Sequence, residues 1–272
     1  MPELPEVEVI ARGLDASVTG RTIESVEVPG LTRLSEPEET LVPKVLGRTI
    51  TRVWRRAKVL LMGLDNGSTL AFHLKMTGRV VHGPRRAAEK HDRILFRLDD
   101  GSLLSFADMR KFGYVRCFAA GELDCWDFLC KAGPEPLETS AEVLAERVTG
   151  RNCAIKALLL NQSVVAGVGN IYADESLFRA GINPETRGSK VGRKQAVTLF
   201  TELQAVLEQA IAENGSSISD YVNSHGDAGA FQNSFNVYGR KGQACRRCGE
   251  TLRAVTVAGR TSTFCPKCQR RR

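Results

Sequence analysis

The first six residues, Met-Pro-Glu-Leu-Pro-Glu, contain a group that could act as a nucleophile. Removal of Met1 would leave Pro2 with a free secondary amine, and a pKa of about 7.7–8.0 for α-amino groups leaves a useful fraction neutral near pH 7. The adduct of such an amine with an aldehyde-level carbon is an iminium ion, a strong electron sink for elimination. Glu3 and Glu6 could divide acid and base roles if one pKa is raised. The alternative is ordinary helix-start chemistry, which also favours proline and acids.

Four cysteines near the end of the chain have the spacing of a metal site. Cys245 and Cys248 form one C-x2-C pair, Cys265 and Cys268 form another, and sixteen residues separate the pairs. This spacing is typical of zinc, and four thiolates close a tetrahedral site, which predicts one structural Zn²⁺. A redox pair or two disulfides are the alternatives. The other cysteines are expected to be ordinary thiols: Cys117, Cys125, Cys130 and Cys153.

Charge is spread unevenly over the 272 residues. The net charge is +7, yet residues 239–272 alone carry ten Lys/Arg and one acid. Clustered positive charge favours a polyphosphate partner such as a nucleic acid, with a solubilising tail as the alternative. The chain is 42% hydrophobic and 25% charged, which excludes a wholly disordered protein. It has no apolar run of about 18 residues and no signal-like start, which predicts a cytoplasmic protein without membrane spans.

The elements that would position these groups change character along the chain. Apolar residues at three- and four-residue steps predict a helix over residues 5–18. Short apolar runs and the turn dipeptides Asn66-Gly67 and Asp100-Gly101 then predict a pair of packed sheets between residues 21 and 118. Strands are expected at Ile23–Val28, Ile50–Trp54, Val59–Leu64, Leu70–Leu74, Ile94–Leu98, Leu103–Phe106 and Tyr114–Phe118.

The second half of the chain has a helical pattern. Gly133-Pro134-Glu135-Pro136 predicts an interdomain linker, and residues 216–236, rich in Ser, Gly and Asn, predict a long functional loop. Helices are expected at 141–149, 153–161, 170–180 and 192–213.

Several motifs follow one another in order along nearly the whole chain. They are Met-Pro-Glu-Leu-Pro-Glu-Val-Glu at 1–8, Arg-Arg-Ala-Lys at 55–58, His-Leu-Lys-Met-Thr-Gly at 73–78, Lys-His-Asp at 90–92, Asp-Met-Arg-Lys-Phe-Gly at 108–113, Val-Ala-Gly-Val-Gly-Asn-Ile-Tyr at 165–172, Val-Tyr-Gly-Arg at 237–240 and the four cysteines. Together they resemble one enzyme family, bacterial formamidopyrimidine-DNA glycosylase. The related endonuclease VIII branch shares much of this plan, but Leu4 favours the formamidopyrimidine branch. Arg151 is a departure, since the family is expected to have Lys there.

The resemblance implies an α+β fold with a structural zinc. It divides the chain into a catalytic β-sandwich domain with flanking helices at 1–133, a helix-two-turn-helix domain at 134–222, a lesion-capping loop at 223–236 and a four-cysteine zinc finger at 237–272. The implied protein is a monomer that acts on damaged double-stranded DNA, has no membrane contact, and resides in the bacterial cytoplasm in association with the nucleoid.

The resemblance also implies the activity and the roles of single residues. The enzyme would excise oxidised purines, such as 8-oxoguanine and formamidopyrimidines, and then cleave the strand by β,δ-elimination in base excision repair. Pro2 would attack the sugar C1′, and Glu3 would act as the acid. Lys58 would serve β-elimination, and Arg260, at the expected tip of the zinc hairpin, would serve δ-elimination.

DNA-contact roles follow from the same resemblance. Met76, Arg110 and Phe112 would fill the gap left by a flipped nucleotide, although core packing is the alternative for Met76 and Phe112. His91, Arg151, Asn170 and Tyr238 would contact the DNA as well. Two other functions remain open: an endonuclease VIII-like glycosylase for oxidised pyrimidines, and a non-catalytic zinc-ribbon DNA-binding protein.

Overall fold

The computed structural model describes residues 1–29, 36–218 and 221–271, which form two compact units. One unit comprises Met1–Cys130 and Glu213–Gln232, and the other comprises Lys131–Ala212 and Asn233–Arg272. The first combines sheets with helices, and the second combines helices with a two-stranded hairpin. This arrangement confirms the predicted α+β class. Two residues of the predicted loop at 216–236, residues 219 and 220, lie outside the described part.

Eight strands of the first unit form two four-stranded antiparallel sheets. The strands are β1 (Ile23–Glu27), β2 (Ile50–Arg56), β3 (Val59–Leu64), β4 (Thr69–His73), β5 (Gly78–Gly83), β6 (Asp92–Leu98), β7 (Leu103–Asp108) and β8 (Tyr114–Phe118). The sheet orders are β1-β6-β7-β5 and β2-β3-β4-β8. Phe72 of β4 contacts Phe96 of β6 and Phe106 of β7 edge-on, with ring centroids 6.2 and 5.9 Å apart, so the sheets share one core. The predicted β-sandwich is therefore confirmed.

Helix α1 (Leu4–Val18) covers strands β2 and β3. Its apolar residues recur on one face, and Val7, Ile10 and Leu14 are fully buried. Each buried side chain of this size stabilises the fold by about 1.5–3 kcal/mol. The side chain of Asp15 also accepts a hydrogen bond from Val53 N of β2, with a distance of 2.6 Å. The helix predicted at 5–18 is confirmed, and its last turn is fixed to the sheet.

Three elements were not predicted from the sequence: α2 (Glu38–Val45), β5 and α3 (Asp127–Cys130). Strand β5 has the sequence Gly-Arg-Val-Val-His-Gly, in which Val80 is the one fully buried side chain. A strand needs no apolar run when its neighbour supplies the pairing, and here β7 pairs with it along its whole length. Helix α2 contains Pro43, a residue that argues against a helix interior.

The second unit contains the predicted helices and hairpin. Gly133–Pro136, predicted to be an interdomain linker, is part of this unit: Gly133 N donates to Gln162 O (2.7 Å) and Ala166 N donates to Pro134 O (3.0 Å). Among the described residues, no helix is long and apolar enough to cross a bilayer. The elements are α4 (Ala141–Glu146), α5 (Ile155–Leu160), α6 (Asn170–Arg179), α7 (Arg193–Ala212), β9 (Arg253–Val257) and β10 (Arg260–Phe264).

Candidate active site and metal centre

Pro2 and Glu3 are buried immediately before helix α1, whereas Met1 is half exposed. Glu3 is the N-cap residue of the helix and forms a capping box with Glu6, whose Oε2 accepts a hydrogen bond from Glu3 N (2.8 Å). Such reciprocal capping satisfies two main-chain N–H groups that would otherwise lack partners. The N-terminal residues are therefore held in one conformation by the helix that follows them.

Glu6 also binds a distant segment of the first unit. Its Oε1 accepts a hydrogen bond from Ser216 N (2.9 Å), and its main-chain carbonyl accepts one from Tyr221 OH (3.4 Å). Burial, with the nearby charge of Glu6, raises the pKa of Tyr221 well above its ordinary value, so this phenol stays a neutral donor. Because both oxygens of Glu6 hold main-chain N–H groups, Glu3 is the better candidate of the two acids for chemistry.

Lys58 lies in the tight turn between β2 and β3, next to Ala57, whose φ of 53° is in the left-handed region. The same strand is tied to α1, since Arg55 Nε donates to Glu8 Oε2 across 2.8 Å. Arg55 and Arg12 lower the pKa of Glu8 despite its partial burial, so the ion pair persists at neutral pH. The turn that carries Lys58 is thus fixed by a strand that is bonded to the N-terminal helix.

The three side chains expected to fill a gap in DNA lie at the surface. Met76 is 40% exposed and Phe112 is 55% exposed, which removes core packing as their explanation. Arg110 is also exposed, with its guanidinium carbon 5.0 Å from the centre of the Phe112 ring. His91 is half-buried next to β6. Large apolar side chains exposed together are typical of a contact surface.

His73, directly before the segment that carries Met76, is held in its neutral form. Its Nδ1 accepts a hydrogen bond from Lys75 N (3.2 Å), which a protonated nitrogen cannot do. Burial, and then the charges of Lys75 and Lys58, lower the pKa of His73 to about 3. The neutral imidazole therefore supports the turn at Lys75, whose φ is 50°.

Acid should destabilise the protein through His73. Its pKa is about 3 in the folded chain and about 6.5 when unfolded, so between these values the unfolded state binds the extra proton. We expect the free energy of unfolding to fall by about 1 kcal/mol for each pH unit below 6.5. Denaturant titrations between pH 7 and 4 test this, and His73→Gln should flatten the slope. Equal slopes in the His73→Gln variant and the wild type would contradict the prediction.

In the second unit, a buried ion pair anchors the hairpin that carries Arg260. Lys156 Nζ lies 2.7 Å from Asp174 Oδ1, and both side chains are buried. Asp174 accepts further hydrogen bonds from Ser262 Oγ (2.6 Å) and Thr263 N (3.0 Å) of β10. Breaking a buried pair by removing one partner costs about 3–5 kcal/mol. Helices α5 and α6 therefore fix the register of β10, the strand in which Arg260 is the first residue.

Arg260 itself is exposed and follows a two-residue turn in which Ala258 and Gly259 have φ values of 50° and 71°. Two consecutive positive φ angles are typical of tight hairpins. Asn170, the first residue of α6, donates from Nδ2 to Thr261 O (3.1 Å), and Lys156 donates to the same oxygen (3.0 Å). The structure thus brings Asn170 and the start of β10 together.

The remaining two predicted DNA contacts lie elsewhere in this unit. Arg151 is exposed shortly before α5. Tyr238 is half-buried, and its main-chain N donates to Glu175 Oε1 (2.9 Å). Glu175 is fully buried and also accepts hydrogen bonds from the main-chain N atoms of Asn236 and Val237. One buried carboxylate therefore fixes the segment that presents Tyr238.

The four predicted zinc ligands converge. Their sulfur atoms all lie within 4.8 Å of one another, and Cys248 Sγ is 3.5 Å from Cys265 Sγ. Zinc–sulfur bonds of about 2.3 Å require sulfurs about 3.8 Å apart in a tetrahedral site, so the arrangement fits one Zn²⁺. Main-chain N–H groups of Arg247 and Cys268 donate to two of the sulfurs, each over 3.4 Å. The thiol chemistry and geometry confirm a structural zinc site, and the four other cysteines are free thiols.

Family models match three parts of the chain. The formamidopyrimidine-DNA glycosylase N-terminal domain matches residues 1–115, the H2TH domain of the same enzyme matches residues 132–222, and a zinc finger found in FPG and IleRS matches residues 242–271. The chain belongs to the formamidopyrimidine-DNA glycosylase family. This finding confirms the resemblance that the sequence motifs indicated.

Individual members of the formamidopyrimidine-DNA glycosylase family are similar over their full length. The enzyme of Geobacillus kaustophilus is 44% identical over 275 residues, covering 99% of this chain and all of the relative. That of Bacillus subtilis is 42% identical, covering 99% of both chains. The Lactococcus lactis enzyme, solved as a variant in complex with Fapy-dG-containing DNA, is 34% identical and has a TM-score of 0.92 over 99% of this chain. Its complex with abasic-site DNA gives a TM-score of 0.91.

Proposed function

We propose that this protein is a bifunctional DNA glycosylase and AP lyase of base excision repair. It excises oxidised purines, such as 8-oxoguanine and formamidopyrimidines, from duplex DNA and then cleaves the strand at the abasic site. The observation that carries the proposal is similarity over essentially the whole chain to relatives named formamidopyrimidine-DNA glycosylase, one of them solved with Fapy-dG-containing DNA. The exposed Met76 and Phe112 support a surface that enters damaged DNA.

The proposed chemistry starts at Pro2. Its nitrogen lone pair forms a bond to C1′ while the glycosidic bond breaks. The base leaves with the electron pair of the glycosidic bond and gains a proton, and the Pro2 nitrogen releases the proton that it carried. Glu3 donates the proton that opens the sugar at O4′, which leaves an iminium ion between Pro2 and C1′. Loss of a proton from C2′ then expels the 3′ phosphate, and a second elimination expels the 5′ phosphate. An iminium carries positive charge without needing a proton, which favours both eliminations.

The other site residues are assigned supporting roles. Lys58 contacts phosphate and assists β-elimination, while Arg260 binds phosphate and assists δ-elimination. Met76, Arg110 and Phe112 fill the helix gap, and further contacts to the DNA come from His91, Arg151, Asn170 and Tyr238. The domain limits set out from the resemblance, the monomeric state, and a place in the cytoplasm near the nucleoid remain predictions.

One experiment separates the proposed function from its alternatives. Duplexes that contain either 8-oxoguanine or thymine glycol are incubated with the protein, with and without borohydride. Faster excision of 8-oxoguanine, with a covalent adduct trapped by reduction, is the expected result. Preference for thymine glycol would indicate an endonuclease VIII-like enzyme, and the absence of any adduct on both DNAs would indicate a non-catalytic DNA-binding protein.

Arg260 should contribute to phosphate binding more than to proton transfer, since a guanidinium keeps its charge and its fork of donors suits phosphate. Arg260→Ala should lower the slope of log K against log salt by about one unit and slow strand cleavage, while adduct formation at saturating DNA persists. Arg253, exposed at the other end of the hairpin, provides the matched control, because Arg253→Ala removes the same charge. If the salt slope and cleavage rate were unchanged in Arg260→Ala, the residue would have no role at the DNA.

A further inference from the structure

Asp108, the last residue of β7, bonds to every segment that presents a candidate gap-filling side chain. It is 1% exposed. Its Oδ1 accepts hydrogen bonds from the Thr77 hydroxyl and from Arg110 N (3.2 Å), and its Oδ2 accepts one from Gly113 N (2.7 Å). Thr77 directly follows Met76, and Arg110 and Gly113 enclose Phe112. One carboxylate therefore joins two surface segments that are more than thirty residues apart in sequence.

The main chain of Asp108 extends this arrangement to a third segment. Asp108 N donates to the main-chain oxygen of His91 (2.9 Å), a residue that is itself a predicted DNA contact. Asp108 O accepts from Arg93 Nε (2.9 Å) and Nη2 (2.7 Å), and that guanidinium is itself buried. Arg93 is thus a buried, charged donor, and its two hydrogen bonds to Asp108 O are stronger than hydrogen bonds between neutral groups.

The two segments need such support, because each contains a strained residue. Lys75 has a φ of 50° and Lys111 has a φ of 58°, the left-handed region in which side chains other than glycine are disfavoured. Arg110 N also donates to the Thr77 hydroxyl (3.1 Å), so Thr77 and Asp108 form one closed network between the segments. Such strain persists where surrounding bonds over-determine the backbone.

We propose that Asp108, through Thr77, is a positioning residue that holds Met76, Arg110 and Phe112 in one arrangement before DNA binds and so sets the preference for lesions in duplex DNA. The inference rests on the proposed function. Side chains that enter the helix gap stabilise the flipped nucleotide, whereas phosphate contacts give affinity for any sequence. If the segments became ordered only on the DNA, that ordering would cost free energy and lower the affinity of the complex. A loosened network should therefore weaken lesion processing in a duplex and leave the chemistry itself intact.

Thr77→Val tests this inference, because it removes the hydroxyl and keeps the shape. Two rates are compared: single-turnover excision of 8-oxoguanine from a duplex, and borohydride trapping on a single-stranded oligonucleotide with an abasic site, which has no helix gap to fill. We expect the ratio of the first rate to the second to fall by about tenfold, the scale of one hydrogen bond to a charged group. Thr77→Ser, which retains the hydroxyl, should restore most of the ratio.

The controls distinguish failure of the inference from failure of the proposed function. Thr198→Val removes a threonine hydroxyl from the exposed side of α7 and should leave the ratio unchanged. Equal losses on both substrates in Thr77→Val, or no loss, would overturn the inference. A wild-type protein that forms no adduct on either DNA would overturn the proposed function instead.

A second measurement needs no variant. Hydrogen exchange of the free wild-type protein should show the amides of Arg110 and Gly113 protected, since both donate to Asp108. Unprotected amides at both positions before DNA is added would show that the segments are not held in advance, and would also overturn the inference.

Discussion

A protein that keeps one extra residue in front of Pro2 should lose base excision and adduct formation, by a factor on the order of 10³ or more, the scale on which loss of a nucleophile acts. The reason is electronic: acylation turns the secondary amine into an amide, whose nitrogen lone pair is delocalised. The structure also indicates that an added residue should not disturb the fold. Met1 is 50% exposed although Pro2 and Glu3 are buried, so an added residue has room at the surface.

The matched control is the same polypeptide. A removable extension in front of Pro2 is cleaved by a protease, and activity is compared before and after cleavage. We expect excision and borohydride trapping to appear only after Pro2 becomes the first residue, while binding to undamaged DNA stays within about twofold, because phosphate contacts do not involve the amine. Full base excision by the uncleaved protein would show that Pro2 is not the nucleophile.

Local sequence pattern predicted those elements whose own residues decide their structure. Helix α1 has its apolar stripe, proline at the start and acids in the first turn, and its observed bounds differ from the prediction by one residue. Strand β3 is a fully buried run, strand β8 has three buried residues of five, and both have the predicted limits. The cysteine pairs likewise need only their spacing, because a tetrahedral metal accepts few arrangements.

Elements decided by distant partners could not be predicted in the same way. Strand β5 pairs with β7, and its own residues carry little hydrophobic signal. Gly133–Pro136 has the composition of a linker, but it is part of the second unit and forms hydrogen bonds with residues 162 and 166 of that unit. Each case depends on contacts that only the folded chain brings together.

The buried carboxylates that position the candidate site also could not be predicted from the local sequence. Asp108 belongs to the motif at 108–113, and Asp174 and Glu175 lie in the helix predicted at 170–180. Nothing local distinguishes these buried acids from exposed ones. Lys156 gives a partial signal, because it lies beside Ile155 in a helix whose other residues are apolar. A charge in such a place predicts a buried partner, although the identity of that partner, Asp174, depends on the fold.

Removal of zinc should unfold the hairpin and abolish DNA binding, while the sheets of the first unit stay folded. The region around the cysteines has a small core, in which Phe178, Val237 and Leu252 pack against Cys245 and Cys265. So few apolar residues cannot offset the entropy of ordering some thirty others, and structural zinc contributes roughly 10–16 kcal/mol in comparable peptides. Arg260 would lose its place with the hairpin, since its strand pairs only with β9.

Cys265→Ser is the variant to test, because Cys265 is fully buried and its main-chain N donates to Gln269 Oε1 (2.9 Å). We expect about one zinc per chain in the wild type, substantially less in the variant, and a loss of DNA affinity of at least about a hundredfold, while the near-ultraviolet signal of Trp54 and Trp126 in the first unit persists. The control is Cys153→Ser, which replaces an exposed thiol of the same unit outside the cluster. Zinc-free protein with unchanged DNA affinity would contradict the prediction, because binding would then not require the folded hairpin.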